Sequence, residues 1–124
     1  MHSGGRHAFL SKYKVGFEPS GKINAVEILG YQNAGYSVDL SIGVLSRYID
    51  HAINCYHFPS VRIVGHSMMT NTPSNTAFRG FGGPQVISIE STNYMKEIYV
   101  NEKIYVKFII IEKANAYDIA CPKK

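Results

Sequence analysis

Cysteine is scarce in this 124-residue chain, occurring only at Cys55 and Cys121. The two form no C-x-x-C pair and no zinc-type spacing, so they supply neither a zinc knuckle nor a cysteine set for an iron–sulfur cluster. Two reduced thiols in a cytoplasmic protein is the expectation. The five histidines, His2, His7, His51, His57 and His66, lack H-x-x-x-H spacing and read as ordinary surface or core residues. No apolar run approaches the ~20 residues that a membrane span needs; the longest is Phe108-Ile109-Ile110-Ile111. Met1 is followed by His-Ser-Gly-Gly-Arg, with no apolar segment behind it, so no secretory leader is expected. A basic run is missing too. Residues 1–85 carry seven Lys or Arg against four Asp or Glu, and residues 86–124 carry six against five. The net charge of +4 is therefore scattered, which argues against nucleic acid or a membrane surface as partner. Internal repeats and low-complexity segments are absent.

What is present suits one globular domain, with 45% hydrophobic residues and enough length for a modest core. Residues 12–17 alternate, with Tyr13, Val15 and Phe17 on one side, as in a half-buried strand. Glu18-Pro19-Ser20-Gly21-Lys22 is turn chemistry, and Ile23–Tyr31 returns as a second strand, which makes a β-hairpin. Asn33-Ala34-Gly35 breaks that pattern. Ile42, Leu45, Ile49, Ala52 and Ile53 recur at helical spacing over residues 42–54, with Ser41 as N-cap and Arg47 on the opposite face. Val61–Met68 reads as a strand with Arg62 and His66 on one face. A helix over Val86–Ile98 and a strand over Ile104–Ile111 follow, and Cys121-Pro-Lys-Lys reads as a frayed end. Strands and helices alternate irregularly, so the fold class is α+β, a mixed α/β arrangement.

The densest chemistry lies in Thr70–Gln85, TNTPSNTAFRGFGGPQ. Pro73, Gly80, Gly82, Gly83 and Pro84 forbid a regular element there. Phe78, Arg79 and Phe81 stand among these breakers. Glycines let backbone N–H groups approach a ligand, a ring can stack on a flat substrate, and an Arg can pair with an anion. The loop is not a Walker A motif, and its glycines lack G-x-G-x-x-G spacing. By pattern alone it cradles a ligand of open identity, which leaves a generic anion- or nucleotide-binding module as one reading. By pattern alone, too, Arg47 is a solvated helix residue, Phe81 a core or loop-anchoring ring, and Arg79 a surface cation.

The string S-N-T-A-F-R-G-F-G-G-P-Q resembles the molybdenum-cofactor domain of the xanthine dehydrogenase and aldehyde oxidase family. Companions lie upstream: Gly4-Gly5-Arg6-His7-Ala8-Phe9-Leu10, Lys12-Tyr13-Lys14-Val15-Gly16-Phe17, Asn33-Ala34-Gly35 and Asn54-Cys55-Tyr56. The resemblance fades after Gln85. It implies residues 1–85 as a piece of a molybdopterin-binding domain and 86–124 as a divergent tail of helix and strand. It implies that Arg47 and Phe81 bind substrate: Arg47 polarises a purine carbonyl oxygen, and Phe81 lies against the face of a planar heterocycle. It implies that Arg79 contacts the molybdenum centre through its main-chain N–H, with Phe78 serving packing. Gly4-Gly5 reads as a turn, and Arg6 and His7 carry no assigned chemistry.

Arg47 and the Gly82-Gly83 pair are similar to the xanthine dehydrogenase branch, which hydroxylates purines with oxygen from water. The alternatives are an aldehyde oxidase acting on aldehydes and N-heterocycles, or a truncated remnant without metal. Glu18, Glu27, Glu90, Glu97, Glu102 and Glu112 sit in no motif matching the family's glutamate base, so the chain is expected to be inactive alone. Molybdopterin with molybdenum is the implied cofactor. The 2Fe-2S clusters and FAD are expected only in a full-length enzyme, implied to be a homodimer in the cytoplasm or, alternatively, the peroxisome. The rest of that polypeptide is the implied partner.

Overall fold

The computed structural model describes residues 4–88 together with the backbone of 105–111. Strands β1 (Phe9–Phe17) and β2 (Ile23–Gly35) form an antiparallel hairpin that pairs Phe9 with Gln32 and Val15 with Val26. Side chains alternate across a strand, and the buried set is Phe9, Ser11, Tyr13 and Val15. The expected stripe thus starts at Phe9, earlier than residue 12. It ends where a bulge between Gly16 and Phe17 shifts the register. The turn has the expected chemistry: the Gly21 N–H donates to the Glu18 carbonyl (2.8 Å), and Gly21 adopts a φ of 84°.

The expected break at Asn33–Gly35 does not occur. β2 runs through Gly35 because Asn33 Oδ1 accepts the Gly35 N–H at 2.9 Å, and a register shift absorbs the irregularity. Helix α1 (Ser41–Asp50) then crosses to β3 (Ser60–Met69), which lies parallel to β2. Strand β4 (Tyr105–Ile111) pairs antiparallel with β1. The sheet order is β3-β2-β1-β4, a mixed sheet with a helix on one face, and the α+β class holds.

Helix α1 corrects the sequence reading in three respects. It ends at Asp50, with residues 51–55 in turns. Leu40 holds the N-cap position without a side-chain cap bond, so Ser41 is not the cap. The buried stripe is Ser41, Val44, Leu45 and Tyr48, whereas Ile42 and Ile53 are 57% and 41% exposed. The sheet sets this rotation. A Cβ on Gly30 would lie 2.7 Å from the Tyr48 ring, and one on Gly65 would lie 2.8 Å from Leu45. Those two glycines are the grooves into which α1 settles. Tyr48 also stacks on Phe9 at 4.5 Å and shares a 2.7 Å hydrogen bond with Ser11. Each such large buried side chain contributes roughly 1.5–3 kcal/mol.

Arg62 and His66 do share the expected face of β3. Arg62 pairs with Glu27 at 2.9 Å and His66 stacks on Tyr31. Helix resumes at residues 83–88, ahead of the expected start at Val86. Residues 89–98 of that expected helix, Ile104 of the expected strand, and the end at Cys121 lie outside the described residues. No helix among the described residues is long and apolar enough to cross a membrane.

Candidate functional site

The loop is tied first to the end of β2. The Thr70 N–H donates to the Gly35 carbonyl, Tyr36 N–H to Thr72, Asn75 N–H to Ala34, and Thr76 N–H to Gly5, all at 2.9–3.0 Å. Asn33 adds side-chain links: its Oδ1 accepts from the Thr70 hydroxyl at 2.7 Å, and its carbonyl accepts from Asn75 Nδ2 at 2.9 Å. Gly5 pairs with Asn75 in a parallel bridge. Gly4 and Gly5 therefore form no turn. They run extended beside the loop, and a Cβ on Gly4 would lie 2.6 Å from Thr76 Cγ2.

Two successive tight turns follow. Phe81 N–H donates to the Phe78 carbonyl (2.7 Å), and Gly83 N–H donates to the Gly80 carbonyl (3.0 Å). The first turn has Gly80 at a φ of 93°, the sign a type II turn requires at its third residue. The second has Phe81 at 47° and Gly82 at 94°, both positive as in a type I′ turn. Glycine suits the left-handed region and phenylalanine does not, at a cost of roughly 1–2 kcal/mol. Phe81, a sequence-predicted site residue, is thus held in a strained conformation. The glycines also answer to packing inside the chain. A Cβ on Gly80 would meet Pro84 at 2.3 Å, and one on Gly82 would meet the Val44 carbonyl oxygen at 2.3 Å.

Packing brings two of the predicted residues together. The partly buried Phe81 ring lies over Gly43 of α1, where a Cβ would sit 3.2 Å from the ring. Arg47 is four residues beyond Gly43, hence on the same face of α1. It is exposed, and its guanidinium has no partner among the described residues. Its carbonyl accepts from the His51 N–H and lies 3.1 Å from His51 Nδ1, so the polar end of α1 is satisfied without that side chain.

Arg79 is exposed, and its N–H and that of Gly80 donate to no acceptor among the described residues. Its carbonyl does have a partner, Arg6 Nη2 at 2.7 Å. Phe78 is 53% exposed, so its packing is not core packing. Its ring lies 4.5 Å from the Arg6 guanidinium. His7, also without assigned chemistry in the sequence, is 2% exposed, with Nε2 2.8 Å from the buried Ser41 hydroxyl. Burial lowers its pKa, and Asp39 offsets that in part by raising it. Gln85 Nε2 donates to the His7 carbonyl at 3.3 Å and ties the loop's end to the same segment. Separations of 73 and 78 residues hide these contacts from local pattern.

No group of three His, Cys, Asp or Glu side chains among the described residues could hold a metal ion. The unspent donors are N–H groups, which fit an anionic or oxo ligand and not a bare cation. Of the described carboxylates, Glu18 accepts from Ser20 and Asn24 at the hairpin turn, Glu27 is paired with Arg62, Asp50 ends α1, and Asp39 lines a cavity with Gly4, Pro73, Ser74 and Thr76.

A family model described as a molybdopterin cofactor-binding domain matches residues 1–98, past Gln85. The chain is 54% identical over 98 residues to xanthine dehydrogenase 1 of Arabidopsis thaliana, a match covering 79% of this chain and 7% of that protein. It is 59% identical over 83 residues to xanthine dehydrogenase of Drosophila subobscura, covering 67% and 6%. Identity to xanthine dehydrogenase/oxidase of Felis catus is 48% over 98 residues, covering 79% and 7%. The chain thus spans less than a tenth of the length of these relatives.

Proposed function

The chain belongs to the molybdopterin cofactor-binding domain family, and we propose that it forms one wall of the active site of a xanthine dehydrogenase-type molybdenum hydroxylase, inactive as this segment alone. One observation carries the reading. The Phe81 ring is fixed against α1 at Gly43, one turn from Arg47, and among the described residues neither the Arg47 guanidinium nor the Arg79 N–H has a partner.

Each group has a task in that site. The Arg79 N–H faces the molybdenum centre. The Phe81 ring covers one face of a purine such as hypoxanthine or xanthine. The Arg47 guanidinium, permanently charged and forked, stabilises negative charge growing on a purine carbonyl oxygen. The molybdenum cofactor, when bound, supplies oxygen drawn from water and takes up the electron pair. A carboxylate base comes from the rest of the polypeptide, as do the 2Fe-2S clusters and FAD, in a cytoplasmic homodimer. Residues 1–85 hold this wall, and 86–124 are the divergent tail.

Arg47→Met in the full-length enzyme should slow purine oxidation about 10²–10³-fold, the loss typical of one oxyanion donor. Aldehyde oxidation should change little. Equal losses on both substrate classes would remove Arg47 from substrate binding and favour the aldehyde oxidase reading. Full-length protein purified without molybdenum overturns the enzyme reading altogether.

A further inference from the structure

We propose that Arg6 is a positioning residue that selects the orientation of the Arg79–Gly80 peptide, so that Gly80 N–H becomes a second main-chain donor beside Arg79 N–H. The inference rests on the reading that this loop faces the cofactor.

The argument starts from the turn at Phe78–Phe81. Its Phe81 N–H to Phe78 carbonyl bond fixes the Phe78–Arg79 peptide, and with it the direction of the Arg79 N–H. The central peptide, Arg79–Gly80, is not fixed by that bond. In a four-residue turn the central peptide has two orientations, types I and II, which differ in the sign of φ at the third residue. Glycine accepts both signs, so Gly80 does not choose between them.

Arg6 makes the choice. Its Nη2 donates to the Arg79 carbonyl at 2.7 Å. A trans peptide is planar, so a carbonyl held on one side points the following N–H to the other. Gly80 accordingly stands at a φ of 93°, with no acceptor for its N–H among the described residues. The guanidinium is itself held from two sides. It lies over the Phe78 ring at 4.5 Å, and the bridge between Gly5 and Asn75 fixes the backbone just before it. Its Nη1 is buried without a hydrogen-bond partner among the described residues, so the group is drawn from water towards the loop. Burial lowers the Arg6 pKa, in keeping with that placement.

The test compares Arg6→Met and Arg6→Lys with the unaltered 124-residue chain by solution NMR. Arg6→Met should bring Gly80 to a mixture of positive and negative φ, read from its amide–Hα couplings. Exchange of the Phe81 amide, the bonded donor of the turn, should rise at least tenfold, while β1–β2 hairpin amides keep their protection. Arg6→Lys retains one charged donor and should restore part of the protection. An unchanged Gly80 φ with unchanged exchange overturns the proposal, as does a uniform loss of protection that includes the hairpin. In the full-length enzyme, Arg6→Met should also alter the paramagnetic resonance spectrum of the reduced molybdenum centre. A flipped turn with an unaltered spectrum would leave the orienting role of Arg6 intact and remove the loop from the cofactor.

Discussion

The two halves of the Thr70–Gln85 loop are held by different means. From Thr70 to Thr76 the main chain spends its hydrogen-bonding groups on β2, on the β2–α1 link and on Gly5. From Phe78 to Gly83 it is held by two turns, three residues at positive φ and steric fit against α1 and Pro84. A donor already bonded has nothing left for a ligand, and an unbonded one must find water or a ligand. The first half is therefore anchor and the second half presents. A sequence motif spanning both does not say which is which; the hydrogen-bond ledger does.

The strongest way to break this contrast is Gly82→Ala. The new Cβ would sit 2.3 Å from the Val44 carbonyl oxygen at a φ of 94°, and the loop should lose its seat on α1. We expect a loss of about 2–4 kcal/mol, from strain plus overpacking, in chemical denaturation. Gly83→Ala is the control, because a Cβ there meets nothing within 4 Å. It should stay within about 0.5 kcal/mol, and equal losses at both positions would remove the steric account of the presenting half.

Asn33→Ala addresses the anchor. It removes the acceptor for the Thr70 hydroxyl and the Gly35 N–H. A loss of about 1–3 kcal/mol is expected, with faster amide exchange over Thr70–Asn75 and little change at Arg79–Phe81. Faster exchange spread evenly over both halves would mean that the loop is a single unit.

His7 is buried where the loop's end at Gln85 meets the start of α1 at Ser41, and its ionisation gives a pH test. The folded chain favours the neutral ring, so the unfolded chain binds protons more readily. Stability is then full above the unfolded value near ~6.5 and declines as pH falls from there through the lowered folded value. The denaturation midpoint should drop between neutral pH and mild acid, and His7→Gln should flatten that slope. A midpoint that rises on acidification would show that the ring is charged in the fold.

The smallest effect is expected from Gly43→Ala. Alanine gains up to about 1 kcal/mol in helix propensity, but its Cβ presses on the Phe81 ring at 3.2 Å. Net stability should barely change, while the Phe81 ring signals in NMR shift. Unshifted signals would mean that the ring does not rest on α1.

Much of the fold was legible because hydropathy reports which side of a strand faces the core. The β1–β2 hairpin, the existence of α1 and β3, and the Arg62–His66 face follow from period and turn residues. The rotation of α1 was not legible. Ser41 is buried because a histidine 34 residues away meets its hydroxyl, and Ile42 is exposed because Gly30 and Gly65 seat Tyr48 and Leu45 instead. A hydropathy stripe cannot register either fact. Asn33 was read as a break for a similar reason: its side chain closes the irregularity that its backbone creates. In the site, Arg47, Phe81 and Arg79 came from motif resemblance, whereas the strain at Phe81 and the reach of Arg6 depend on contacts between distant parts of the chain.

The extended segment at residues 4–7 bears on where this protein can be cut. A boundary drawn at the start of β1 would look harmless, since every strand and helix would survive it. It would nevertheless remove the Gly5 carbonyl that receives the Thr76 N–H, the guanidinium that donates to the Arg79 carbonyl, and the imidazole beside Ser41. The exposed hairpin tip at 18–22 makes no described bond to the loop, so a nick there should spare it. The smallest excisable unit is thus set by the strap and not by the first regular element. Proteolytic trimming should show it: losing residues 4–7 should release Thr70–Gln85 to further cleavage, whereas cleavage at the hairpin tip should not.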